Sequence, residues 1–285
     1  MTEHGERGRR AVPPRLPPAR AGGPSERAER RSPDSIVGVH EVAAQGFSSA
    51  DAYERARPEY PAAAVDALVA ALALGPGTTV VDLGAGTGKL TRALVPTGAR
   101  LIAVEPLAGM RAELARAVPA VHGVGGTAEA IPLAAGAVDA VVAAQAFHWF
   151  SGDEAVAEIH RILRPGGGLG LVWNELVWSV PWVGALGAIL DPLAASLPRF
   201  RTGRWRDALD RTDRFGPLDE RRFPFSRPLD RASVVDWVAT TSWVAVLPDD
   251  ERAGVLRQVA AAVAEEPEPV EVPYETCVYW CRARP

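Results

Sequence analysis

Lysine is almost absent from this chain. All but one of its 31 basic residues are arginine, and the exception is Lys89. Cysteine is scarce too: Cys277 and Cys281 alone cannot make a disulfide framework, which favours a reducing, cytoplasmic compartment. Four residues apart on a predicted strand, they share a face but lie ~13 Å from each other, beyond disulfide reach. No apolar run approaches the ~18 residues of a membrane span, so no membrane association is expected. A net charge of -4 supplies none of the basic surface that grips nucleic acid. The scattered histidines (His4, His40, His122, His148, His160) show no metal-ligand spacing, and neither Ser151 nor Ser179 sits in a nucleophile elbow. What is left is the composition of a soluble globular protein of 285 residues, one large domain or two small ones.

The first 34 residues stand apart, with eight arginines, five acidic residues, six prolines and no aromatic. Such a segment cannot bury enough apolar surface to offset its ordering entropy, so a disordered tail is expected over 1–34. From there helix and strand signals alternate. Val65, Leu68, Val69 and Leu72 form a helical stripe, with Pro61 at its start and Gly75 as its stop. Thr78–Leu83, Arg100–Val104, Ala120–Gly123, Val138–Ala143 and Leu169–Trp173 read as strands. Leu90–Val95 and Gly109–Ala117 read as helices between them. Ser151 and Glu154 have the spacing of a capping box opening a further helix, which Pro165–Gly168 ends. Short links and apolar strands predict a parallel sheet covered on both faces. Beyond Trp173 a helical, aromatic-rich insertion is expected. Late strands follow at Glu220–Phe225 and Glu275–Cys281, with helices over Ala232–Trp243 and Asp249–Ala264.

Chemistry concentrates in the stretch Val80-Val81-Asp82-Leu83-Gly84-Ala85-Gly86-Thr87-Gly88, between a strand and a helix. Glycines there let the backbone turn tightly and bring a ligand to a helix N-terminus. The dinucleotide pattern needs glycine where Lys89 stands. The P-loop needs glycine at Leu83 and Ser or Thr at Leu90. Both fail. Glu105 ends the next strand at the distance where an acidic residue accepts from ribose hydroxyls.

This loop resembles the motif of the class I S-adenosylmethionine-dependent methyltransferases. The segment Gly126-Thr127-Ala128-Glu129-Ala130-Ile131-Pro132 is similar to the one that frames the adenine in that family. Gln145-Ala146-Phe147-His148-Trp149-Phe150 resembles the methyltransferase-11 branch, which includes proteins of the trans-aconitate methyltransferase type. So do Phe47, the run from Tyr53 through Arg57 to Pro61, and the ending Pro273–Trp280. The resemblance implies a Rossmann-like α/β fold, with a mostly parallel seven-stranded sheet and helices on both faces. It implies S-adenosyl-L-methionine held by Asp82, Gly84, Ala85, Gly86, Gly88, Glu105, Thr127, Ala128, Glu129, Gln145, Tyr53 and Arg57. His148 would stand where the methyl points, as a base or as a positioning residue, and Trp149 would pack on the adenine or exclude water. The expected organisation is a methyltransferase domain over 35–285. It divides into a cofactor core over 45–175, a helical insertion or lid over 176–218 and a C-terminal part over 219–285. The function expected is methyl transfer to a carboxylate or hydroxyl of a small molecule. A cofactor-binding protein without catalysis is the second reading.

Overall fold

The computed structural model describes residues 57–285. The arginine-rich tail, His4, His40, Phe47 and Tyr53 lie outside the described residues. Seven strands form one sheet: β1 (Thr79–Leu83), β2 (Arg100–Val104), β3 (His122–Val124), β4 (Val138–Ala144), β5 (Leu163–Leu176), β6 (Asp219–Leu229) and β7 (Val270–Arg282). Their spatial order is β3-β2-β1-β4-β5-β7-β6. The first five are parallel, and β7 runs antiparallel between β5 and β6.

The described helices are α1 (Ala62–Leu72), α2 (Lys89–Leu94), α3 (Ala108–Ala117), α4 (Gly152–Ile162), α5 (Pro181–Leu190), α6 (Asp207–Asp210), α7 (Arg231–Ala239), α8 (Ser242–Ala245) and α9 (Asp249–Ala262). The period of two along each strand divides the core. Val80, Val142, Val172 and Val278 pack on Leu68 and Leu72 of α1, while Val81, Val141, Leu169 and Leu171 pack on Val156, Ile159 and Ile162 of α4. With both faces covered, the inner strands are apolar almost throughout. Gly168 and Gly170 let α1 approach, since a Cβ on either would lie 2.5 Å from a Leu72 or Leu68 methyl carbon.

A third cluster explains the loosened pattern after Trp173. The β5–β7–β6 strands continue past the parallel sheet. Leu176, Val270, Val272 and Tyr274 on that extension bury α5, α7, α8 and α9. These helices lie beside the end of the sheet where β4 and β5 release their chains.

Several local expectations are corrected. The residue that ends α1 in the left-handed region is Ala73 (φ 54), not Gly75. The serine at 151 precedes α4 without a side-chain cap, and its own N–H, which Glu154 would accept in a capping box, donates to Glu129 Oε1 at 2.8 Å. The helix expected over Ala232–Trp243 breaks into α7 and α8, where the Thr240 and Thr241 hydroxyls donate to the carbonyls of Trp237 and Val238. Pro165–Gly168 belongs to β5. Among the described residues no helix is long and apolar enough to cross a membrane.

Candidate active site

Four loops, at the carboxyl ends of β1, β2, β3 and β4, build a cleft. The first is the glycine loop. Its Gly84 and Ala85 N–H groups donate to the Val104 carbonyl at 2.8 and 3.2 Å, which ties the loop to β2. Gly84 has φ +68, and a Cβ there would stand 2.8 Å from the Ala146 methyl, so only glycine fits. Gly88 (φ +89) opens α2 and faces Leu114 of α3, so it serves the turn and does not line the cleft. Asp82 also lies beneath the loop. It accepts from the Thr91 hydroxyl at 2.5 Å, and burial pushes its pKa up to about 6.

Glu105 closes the second loop. One of its oxygens accepts from Gly86 N–H and the other from Leu107 N–H, both at 2.9 Å, while Arg111 donates to its carbonyl at 2.7 Å. A carboxylate offers about four acceptor positions, so two stay open for two hydroxyls. Burial raises its pKa. The cleft is completed by Leu107, Met110, Thr127, Ala128, Gln145 and Phe150. Gln145 ends β4 with φ 55, a left-handed conformation that a non-glycine residue adopts at a cost of about 1–3 kcal/mol and that often marks a site. Its amide donates to the Asn174 carbonyl at 2.9 Å, which binds β4 to β5 beside the cleft. Glu129 does not line the cleft; it holds the Ser151 N–H.

A glycine floor, a carboxylate with spare acceptor capacity at a strand end and apolar walls together suit a nucleoside carrying a ribose and a methionine tail. Gly84, Ala85, Gly86, Glu105, Thr127, Ala128 and Gln145 line this cleft together, and Asp82, Gly88 and Glu129 lie beside it.

Tyr60, Lys89, Gln145 and Trp149 line this cleft and also a second one. The second cavity holds Arg57 and His148 and extends to Glu175, Trp178, Arg199, Arg201, Trp237, Trp243 and Tyr274. His148 sits on a single turn, Phe147–Trp149, and its Nδ1 lies 3.0 Å from the Trp173 indole Nε1. It keeps some surface at the cavity, yet dense protein surrounds the ring, and that burial pushes its pKa down to about 3. Asp191 holds Arg199 and Arg201, each at 2.9 Å. Arg201 lies over the Trp178 ring at 4.1 Å, and Arg57 over Trp237 at 6.0 Å. Burial pushes Glu175 up to about 7 despite both nearby arginines.

Six buried side-chain polar atoms among the described residues have no hydrogen-bond partner. Four of them, Arg199 Nε, Trp237 Nε1, Trp243 Nε1 and Tyr274 Oη, belong to residues of this second cavity. Sequence reasoning did not single out Glu175, Arg199, Arg201 or Tyr274 as site residues. Only the aromatic density between 173 and 205 pointed to the region.

The sheet order with its one antiparallel strand and the cofactor cleft at the strand ends define a Rossmann-like methyltransferase fold. A family model described as a methyltransferase domain matches residues 81–171. An uncharacterized methyltransferase of Mycobacterium tuberculosis is 38% identical over 224 residues, covering 77% of this chain and 86% of that protein. An uncharacterized methyltransferase-like protein of Schizosaccharomyces pombe is 34% identical over 239 residues, covering 82% and 93%. A type II methyltransferase structure from Anaeromyxobacter dehalogenans shares the fold at TM-score 0.56 and 24% identity, covering 80% of this chain and 97% of that one. The chain belongs to the class I S-adenosylmethionine-dependent methyltransferases, and S-adenosyl-L-methionine is its cofactor.

Proposed function

We propose that the enzyme methylates a carboxylate oxygen of a small, oxygen-rich acid bound in the second cavity. The observation that carries this reading is the set of four buried donors without partners. Buried polar groups in folded proteins almost always find a partner, and leaving one unmade costs about 1–3 kcal/mol. Three of these donors, the arginine Nε and both indole N–H groups, have no acceptor capacity, so a ligand rich in acceptors suits them. Arg57, Arg199 and Arg201 add positive charge to the same walls. The ring faces of Trp178 and Trp237 already carry arginines, which disfavours a cationic amine over them.

S-adenosyl-L-methionine, when bound, supplies an electrophilic methyl with its own leaving group. Gly84, Gly86 and Glu105 would hold the cofactor, and Thr127 and Ala128 would border its adenine end. Tyr60, Gln145 and Trp149 divide the two cavities where the reacting groups meet. A carboxylate acceptor has no proton to lose, so none of the residues around it would have to act as a base. Catalysis then consists of alignment and exclusion of water. The resemblance of Gln145–Phe150 to the trans-aconitate branch supports this choice. So does 42% identity over 101 residues to a malonyl-[acyl-carrier protein] O-methyltransferase of Methylococcus capsulatus, over 36% of that protein's length.

The test is a panel of small mono-, di- and tricarboxylates, phenols and amines with methyl-labelled cofactor. The expected product is a base-labile methyl ester from a di- or tricarboxylate. Label carried only by phenols or amines overturns the reading.

A further inference from the structure

We propose that Trp173 locks His148 with its proton on Nε2, which makes the histidine a hydrogen-bond donor to the acceptor and excludes it as the base. An indole N–H only donates. At 3.0 Å from Trp173 Nε1, His148 Nδ1 is therefore the accepting nitrogen and carries no hydrogen. A neutral imidazole has one N–H, and it falls on Nε2.

The lock is stiff at both ends. Trp173 is fully buried, with its ring centroid 4.8 Å from Phe200, 4.6 Å from Trp205 and 6.0 Å from Tyr279, so its N–H cannot swing away. His148 is carried by a turn whose Phe147 is buried in the same core and meets Trp205 edge-on at 6.3 Å. Freeing Nε2 to take a proton requires moving the hydrogen to Nδ1. Two N–H groups would then face each other at 3.0 Å, and a buried indole would lose its acceptor. Forming the imidazolium has the same consequence. Burial acts in the same direction, since it disfavours the charged ring.

The chemical consequence deepens the carboxylate reading and rests on it. A hydroxyl or phenol acceptor must shed a proton, and Nε2 is already occupied. A carboxylate has none to shed and can accept the Nε2–H bond on the oxygen that is not methylated. Trp173 is then a positioning residue that acts through His148.

Histidine nitrogen NMR on the full-length protein tests this without any acceptor. In long-range proton–nitrogen spectra of 15N-histidine-labelled enzyme, the His148 signals are those that vanish in the His148→Gln variant. The expected pattern is protonated Nε2 and bare Nδ1, unchanged from about pH 8 to about pH 5, a range over which an ordinary histidine with pKa ≈ 6.5 titrates. A proton on Nδ1, or titration near 6.5, overturns the proposal. Trp173→Phe keeps an aromatic ring in the cluster and removes the N–H together with the pyrrole half of the indole; it should yield a mixture of tautomers. An unchanged spectrum in that variant overturns the role of Trp173, and if the variant does not fold, the wild-type spectrum still decides the tautomer. With an acceptor in hand, His148→Gln retains a donor and should lose less than the ~10²-fold that removal of a base costs, with no new pH dependence. A larger, pH-dependent loss overturns the proposal. Failure of every carboxylate in the panel sinks the substrate reading and leaves the tautomer result standing.

Discussion

The two cavities share a wall but differ in how their polar groups are satisfied. In the cofactor cleft the lining groups find partners within the chain: both Glu105 oxygens accept backbone N–H groups, and the glycine loop is tied to β2, while only Asp82 Oδ1 and Glu129 Oε2 in its support lack one. That cleft is set before any ligand arrives. In the second cavity donors are left over, and Asp191 must hold two arginines in place. A site whose polar groups lack partners has its complement in the ligand. On the proposed reading the cofactor cleft is a fixed socket, and the second cavity has its polar groups completed by the acceptor.

If the two are separable, their variants should move different constants. Glu105→Ala removes an acceptor for charged-group hydrogen bonds worth about 1.5–3 kcal/mol, so cofactor Kd by calorimetry should rise roughly 10- to 150-fold. Acceptor KM at saturating cofactor should barely change. Arg199→Gln should do the reverse, raising acceptor KM by about fivefold; the smaller size reflects a partly exposed side chain screened by water. Equal effects of Arg199→Gln on both constants would mean that the cavities work as one site.

Glu175 sharpens the contrast through pH. Its folded pKa of about 7 lies above the ordinary 4.5 because burial disfavours the charge. Between those values the unfolded chain has released a proton that the folded chain keeps. Stability contributed by this group is therefore full below about pH 4.5 and falls as pH rises towards 7. Denaturant titrations of wild type and Glu175→Gln should diverge over that window by on the order of 2 kcal/mol in favour of the variant at the upper end. Acceptor KM in the wild type should climb above pH 7, by at most about tenfold per pH unit, as an anion appears beside an anion site. A flat wild-type profile would show that Glu175 does not face the bound acid.

The same contrast governs what the sequence discloses. The cofactor cleft is local: Gly84–Gly88, Glu105 and Gly126–Glu129 are short runs at strand ends, and their spacing is dictated by the turn and the next strand. Even there, spacing does not separate lining from support. Asp82 alternates inward to Thr91, Gly88 turns to α3, and Glu129 holds Ser151. The strands were legible because parallel strands buried on both faces are apolar runs. The second cavity gathers Arg57, His148, Arg199, Trp237 and Tyr274 from five separate segments, and no local pattern links them. Trp237 and Tyr274 are core residues, and only the tertiary placement of α7 on the β7 extension shows that their polar ends lack partners.

The finest test deletes one such end. Tyr274 is 3% exposed, its ring stacks on Phe225 at 5.2 Å, and its hydroxyl has no partner. Burial pushes its pKa up to about 12, so it stays protonated and able to donate. Tyr274→Phe keeps the ring and removes the oxygen. In most folded proteins that deletion costs stability, because a hydrogen bond is lost. Here none exists without ligand, so thermal stability should hold or rise by up to about 1 kcal/mol, the desolvation cost relieved. Acceptor KM should rise about threefold to tenfold, the worth of one ordinary hydrogen bond of about 0.5–1.5 kcal/mol. Cofactor Kd should not move. A drop in melting temperature with unchanged KM would mean that the hydroxyl is satisfied inside the protein, and it would take Tyr274 out of the set of donors that defines the second cavity.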